Sequence, residues 1–157
     1  TLEDTGMLTA LRHDPGITLL DRAQAKTPEE TKKIYHDALS SDFYFMSTNA
    51  ITKDGELVNI DGTGNRVAAL IYGPEHVIVM AGMNKVAANV DEALSRVHGT
   101  ATPMNCKRLG KNTPCSATGV CSDCLSPDCI CNQVVITRRS GIEGRIKVIL
   151  IGEELGY

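Results

Sequence analysis

The most constraining stretch of this sequence is His76-Val77-Ile78-Val79-Met80, an almost unbroken apolar run closed by Gly82. A strand with apolar side chains at consecutive positions must be covered on both faces, which is the mark of a parallel sheet sandwiched by helices. Phe43 to Met46 reads the same way. Aromatic residues make up 4% of the chain and Trp is absent, so the covering layers must be aliphatic.

The intervening segments supply those layers. Thr27-Pro28-Glu29-Glu30 is a helix start: Thr as N-cap, Pro at the first position, and Glu30 completing a capping box. Ile34, Tyr35, Ala38 and Leu39 form its apolar face. Leu2, Met7, Leu8 and Leu11 make an earlier helical stripe, starting at Thr1 and ended by Asp14-Pro15-Gly16. Ile17 to Leu20 reads as a short strand. Ile51 and Leu57-Val58 flank Lys53-Asp54-Gly55-Glu56 as a β-hairpin. Helices are expected over Val67–Tyr72, Asp91–His98 and Pro103–Leu109, and the cysteine-rich region that follows, with no period, reads as loop. Val134–Thr137 and Ile146–Ile151 read as strands around a glycine-containing turn, with Arg138, Arg139, Arg145 and Lys147 on a solvated hairpin face. The fold class is α/β: one domain over 1–157, its sheet mostly parallel with a local antiparallel hairpin.

Composition excludes some roles. The net charge is −3, so nucleic acid is not the expected main partner, since phosphate neutralisation needs a basic face. No apolar run approaches the roughly 20 residues that span a bilayer. Thr1-Leu2-Glu3-Asp4 has no secretory-signal character. The expected location is cytoplasmic, where thiols stay reduced.

That matters because the six cysteines lie together, spaced Cys106-x8-Cys115-x5-Cys121-x2-Cys124-x4-Cys129-x-Cys131. Four thiolates suffice for tetrahedral Zn²⁺ or an iron–sulfur cluster, and the Cys121-x-x-Cys124 step lets two thiolates reach one metal around a tight turn. The spacing matches neither the paired-knuckle zinc pattern nor the ferredoxin run. Iron–sulfur, zinc and metal-free buried thiols all stay open on spacing alone.

A second constellation is Asn59-Ile60-Asp61-Gly62-Thr63-Gly64-Asn65-Arg66. Its glycines permit close backbone approach, and the helix after it would offer free N–H groups to an anion, with Asp61, Asn65 and Arg66 orienting it. The competing reading is a tight strand-to-helix turn capped by Asn and Asp. The four histidines are scattered without ligand spacing, and no Ser nucleophile elbow or catalytic dyad stands out.

Taken together, these words resemble the LUD (lactate-utilisation) domain family: Ser47-Thr48-Asn49-Ala50-Ile51-Thr52, Asp54 to Asn59, Asp61 to Ala69, Gly73-Pro74, Gly82-Met83-Asn84-Lys85 and Pro103-Met104-Asn105. The likeness continues through Thr113-Pro114-Cys115, Cys121-Ser122-Asp123-Cys124, Ser126-Pro127-Asp128, Ile130-Cys131-Asn132 and Gly152 to Tyr157. The resemblance implies a Rossmann-like three-layer sandwich shared with CoA transferases and sugar-phosphate isomerases. It implies an accessory role in oxidising lactate to pyruvate beside iron–sulfur oxidoreductase subunits, and names no catalytic residue. It implies Cys115, Cys121, Cys124 and Cys131 as the metal ligands. The family more often has a basic residue at Cys129 and a small non-Cys residue at Cys106, which leaves those two as substitutes. By fold analogy it implies a ligand wall of Asn49, Asn59, Asp61, Gly62, Gly64, Asn65 and Arg66. It also implies a further N-terminal α/β segment that this sequence does not contain. A sheet so shortened exposes an edge, and a homodimer would cover it. The competing function classes are a redox accessory protein with an iron–sulfur centre, a binder or enzyme for a phosphorylated or carboxylated metabolite, and a zinc-stapled or metal-free scaffold subunit.

Overall fold

The computed structural model describes residues 1–157. Its centre is the expected buried run. Strand β4 (His76–Gly82) lies between β1 (Phe43–Met46) and β7 (Ile146–Ile151), parallel to both. Register pairs Met46 with Val79 and Met80 with Ile149. The hairpin belongs to a second sheet, ordered β5-β2-β3-β6, with β2 at Ala50–Thr52, β3 at Leu57–Asp61, β5 at Val86–Ala87 and β6 at Gln133–Thr137. There β2 pairs antiparallel with β3, β3 antiparallel with β6, and β2 parallel with β5.

Two cores join the layers. Met46, Ile51, Leu57, Leu70, Val77 and Val79 fill the space among the parallel sheet, the hairpin and α3 (Asn65–Ile71). Each large aliphatic side chain fully buried there is worth roughly 1.5–3 kcal/mol. On the other face of the second sheet, Ala50, Val58, Ile60 and Ala87 meet Ala93, Val97 and Ala101. The alanines among them let α4 (Val90–Arg96) approach the sheet closely. A π-helical turn over Val97–Ala101 links α4 to α5 (Thr102–Arg108). Pro103 explains that turn: it has no N–H to give to the carbonyl four residues back, and its ring pushes the helix wide.

Helix α2 (Pro28–Ala38) starts as the sequence specifies. The Glu30 N–H donates to Thr27 Oγ1 at 3.1 Å, while the Glu30 carboxylate takes the Lys26 N–H, one residue before the cap.

Several expectations are corrected. Helix α1 covers Met7–His13 and does not begin at Thr1, because Gly6 adopts φ 71° and interrupts the turn. Ile17–Leu20 forms no strand: with Ile17 43% and Leu20 40% exposed it has no sheet to join, and a short 3₁₀ turn over Arg22–Gln24 follows. The cysteine region is not all loop, since α6 (Pro114–Thr118) carries Cys115. Strands β6 and β7 are not partners; they lie in different sheets. Arg145 is not on a solvated face. It is 7% exposed and its guanidinium donates to the carbonyls of Ala69, Leu70 and Pro74 at 2.7–2.9 Å, closing the end of α3.

Candidate functional site

The expected ligand wall is partly an internal network. Arg66, in the first turn of α3, reaches back under the second sheet. Its guanidinium donates to Asn59 Oδ1, to Asn49 Oδ1 (3.0 Å), and to the carbonyls of Ser47 (3.2 Å) and Ile60 (3.0 Å). Asp61 Oδ2 stands 3.4 Å from Arg66 Nε. Burial lowers the Arg66 pKa, and the Asp61 charge partly offsets this. Asn49 Oδ1 also accepts the Ile60 N–H, so Asn49 and Asn59 lock β3 to the segment entering β2. The second oxygen of Asp61 closes the glycine turn, accepting from the N–H groups of Thr63 (3.1 Å) and Gly64 (3.0 Å). The amides expected to face an anion are thus already taken by the chain's own carboxylate. Gly64 sits at φ 89°, which an L side chain rarely adopts, so this turn requires glycine.

Gly62, Gly64 and Asn65 turn the other way. Gly64 and Asn65, with Thr63 and Ala68, line a cleft of about 520 Å³ facing Lys32, Tyr35 and His36 of α2. Gly62 faces the cysteine region: a Cβ there would come within 3.3 Å of Ile130, and Asn132 Nδ2 donates to the Gly62 carbonyl at 2.9 Å. The two constellations of the sequence are therefore neighbours.

Beyond the carboxyl ends of the parallel strands lies a second polar cluster. Lys85, in a 3₁₀ turn just after β4, is 4% exposed. Its Nζ donates to Thr1 Oγ1 (3.1 Å) and Ser47 Oγ (3.0 Å), and it meets no carboxylate within ion-pair distance. Burial, with Arg96 and Arg66 nearby, lowers its pKa from the ordinary 10.5 to about 8. Arg96 donates to the carbonyls of Asn84 (2.7 Å) and Asn49 (2.8 Å). Ligands in open α/β sheets bind at this end of the strands. A groove of about 800 Å³ beside Tyr72, Glu75, Arg138 and Ile142 lies at the opposite, amino end of β4 and β7.

All six cysteines are free thiols. Packing of α5 on α6 sets buried Cys106 beside buried Cys115, whose sulfur lies 3.3 Å from Thr113 Oγ1. Burial, then neighbouring Cys115 and Cys129, raise the Cys106 pKa. Burial pushes the Cys131 thiol up to about 11, although Thr102 partly opposes it. Cys129 Sγ accepts the Cys131 N–H at 3.3 Å. Cys121 turns instead to His98, Sγ to Nδ1 3.4 Å, and Cys124 to Ser126, whose hydrogen bonds lower the Cys124 pKa. No three of these side chains close around one point. The donor set nevertheless suits a soft metal: thiols, backbone N–H groups already aimed at Cys121 and Cys129 sulfurs, and buried thiols that a cation would deprotonate.

A family model described as the LUD domain matches residues 1–151. The chain belongs to the LUD domain family. That family is associated with lactate utilisation. No curated protein and no solved structure matches the chain. No helix of this LUD domain is long and apolar enough to cross a membrane.

Of the residues expected from the sequence, the LUD domain brings Asn49, Asn59, Asp61 and Arg66 into one network. It sets Gly62, Gly64 and Asn65 outside it. Cys106 and Cys115 form one buried thiol pair; half-buried Cys129 lies beside Cys131 and also reaches Cys124, while half-buried Cys121 turns to His98. Sequence reasoning missed Ser47, Lys85, Arg96 and His98. The available signal for Lys85 was its place three residues past the buried run of β4, at the ligand-binding end of a parallel strand.

Proposed function

We propose that this LUD domain is an accessory protein of lactate or 2-hydroxy-acid oxidation that carries an iron–sulfur centre on its cysteines. The carrying observation is the thiol cluster, in which α5, α6 and the following loop gather donors onto one side of the domain. Cys115, Cys121, Cys124 and Cys131 are the proposed ligands, with Cys106 and Cys129 as substitutes. When bound, such a centre supplies one-electron transfer. The chain's own part is to offer thiolates, to donate backbone N–H groups to sulfur, and to shield Cys106 and Cys115 from water. The reading takes iron–sulfur oxidoreductase subunits as partners. A second copy is the other candidate, supported by the apolar side chains Val148, Ile149 and Leu150 on edge strand β7, which are 39–50% exposed.

One observation favours zinc instead. His98 beside Cys121 adds a nitrogen donor to the thiols, a mixture common in structural zinc sites.

The test is iron retained per chain after anaerobic reconstitution with ferrous iron and sulfide, in six single Cys→Ala variants. Loss in Cys115→Ala and Cys131→Ala, with Cys121→Ala and Cys124→Ala also impaired, supports the reading. Equal iron in all six, or zinc outcompeting iron in the wild type, defeats it.

A further inference from the structure

The helical run from α4 through the π-helical turn to α5 meets the thiols with His98, Thr102 and Cys106. Residues four apart share one face of a helix. Each of these touches a different cysteine. His98 Nδ1 stands 3.4 Å from Cys121 Sγ, Thr102 Oγ1 stands 3.8 Å from Cys131 Sγ, and Cys106 packs beside Cys115. His98 sits in the π-helical turn itself, a rare conformation that frequently marks functional sites.

Two of these contacts carry an unspent proton. Thr102 is 6% exposed, and its hydroxyl accepts from Cys131 without donating to any group. Leaving a buried donor unused is costly. His98 has Cys121 as its one hydrogen-bond partner. A ligating thiolate carries no proton, so it can only accept. With Cys131 bound to metal, the Thr102 hydroxyl must turn and donate to its sulfur. With Cys121 bound, the proton of the imidazole contact must sit on His98 Nδ1. The backbone adds to the same sulfur: the Asp123 N–H, from a residue at φ 49°, reaches Cys121 Sγ at 3.4 Å.

We propose that His98 and Thr102 are positioning residues for the iron–sulfur centre, donating side-chain hydrogen bonds to the ligand sulfurs of Cys121 and Cys131 and so raising its reduction potential. The inference rests on the iron–sulfur reading above and extends it from the ligands to the groups that tune them. Its physical basis is charge. Reduction adds an electron that spreads onto the ligand sulfurs, and a donor aimed at sulfur stabilises the reduced form more than the oxidised one. Donors fixed on a packed helix face hold that geometry better than donors on a loop. His98 acts here as a donor and not as a ligand, because a protonated Nδ1 has no lone pair to give a metal.

Redox titration of the anaerobically reconstituted chain with dithionite, read by the visible band, tests this. Iron per chain should be unchanged in His98→Ala, His98→Asn, Thr102→Val and Thr102→Ser. At the wild-type midpoint, the ratio of reduced to oxidised centre should fall about tenfold in His98→Ala and roughly threefold in Thr102→Val. His98→Asn places an amide N–H near the lost Nδ1–H, and Thr102→Ser keeps the hydroxyl, so both should restore most of the ratio. A purely structural role would change stability without moving the potential. Iron retained with unshifted potentials in both His98→Ala and Thr102→Val overturns the inference and leaves the iron–sulfur reading standing. Iron lost from His98→Ala makes His98 a ligand and also overturns it. A wild-type chain that retains no iron overturns the inference and the reading together.

Discussion

Replacing Lys85 by Met should stabilise the protein at neutral pH, and the gain should vanish in alkali. The Lys85 pKa is about 8 in the folded chain against an ordinary 10.5. Burial is the main cause, and the charged groups facing it are Arg96 from α4, Arg66 from α3 and Asp4 from the N-terminal segment. Both arginines stay protonated and Asp4 stays ionised across the range tested. A lysine whose folded pKa is depressed destabilises the native state fully below that pKa. As pH rises from about 8 toward 10.5, the folded chain has released this proton while the unfolded chain still holds it, so stability increases. The pKa difference corresponds to roughly 3 kcal/mol. Met fills the same volume without charge but forfeits two hydrogen bonds to hydroxyls, worth roughly 1 kcal/mol each. The net expectation is a gain of about 1–2 kcal/mol at pH 7, falling to a loss of about the same size by pH 10.5. Urea unfolding of both proteins across pH 7 to about 10.5 reads this directly. Titrations of the cysteines and tyrosines are common to both chains and cancel in the difference. A wild-type-to-Met difference that stays constant with pH would refute the reasoning.

Other perturbations probe the scaffold and the thiols. Arg145→Met strands the Ala69, Leu70 and Pro74 carbonyls in the interior and should cost about 3–5 kcal/mol, seen as a midpoint drop of roughly 6–20 °C by calorimetry; a drop under about 2 °C would contradict that role. Gly82→Ala should destabilise by at least about 2 kcal/mol in the same assay, because a Cβ there would lie 2.6–2.7 Å from the Leu155 nitrogen and Glu153 oxygen; wild-type stability would show that the wall around Lys85 gives way. In metal-free protein, iodoacetamide should alkylate Cys124 first and Cys106 last, as mass spectrometry of timed digests will show, since hydrogen bonds lower the first thiol's pKa and burial raises the second's. Reversal of that order would count against the burial assigned to α5.

How much of this was legible follows from which features are local. The apolar run of β4, the Lys53–Glu56 hairpin and the Thr27-Pro28 helix start are properties of neighbouring residues, and each forms as read. Thr113-Pro114 repeats the same Thr-Pro start before Cys115, but the absence of periodicity around it masked a helix only five residues long. Arg145 and Lys85 were illegible for a different reason. A charged side chain is expected in solvent, and only the meeting of α3 with β7, or of β1 with β4, encloses these two. Pairing of β6 and β7 with distant strands is likewise a long-range choice, because either strand has enough β-branched residues to suit either sheet. At the candidate site, the N/D-rich loop was correctly grouped, but its direction was not: Asn59 and Arg66 turn inward, Gly64 and Asn65 outward. A glycine turn sets such directions through φ, and residue type alone does not encode it.

The most direct measurement is the visible absorption spectrum of protein purified without oxygen, with iron, acid-labile sulfide and zinc analysed on the same sample. An iron–sulfur centre gives a broad visible band with iron and sulfide in matching amounts, both lost in Cys115→Ala and Cys131→Ala. A colourless chain containing zinc or no metal would contradict it.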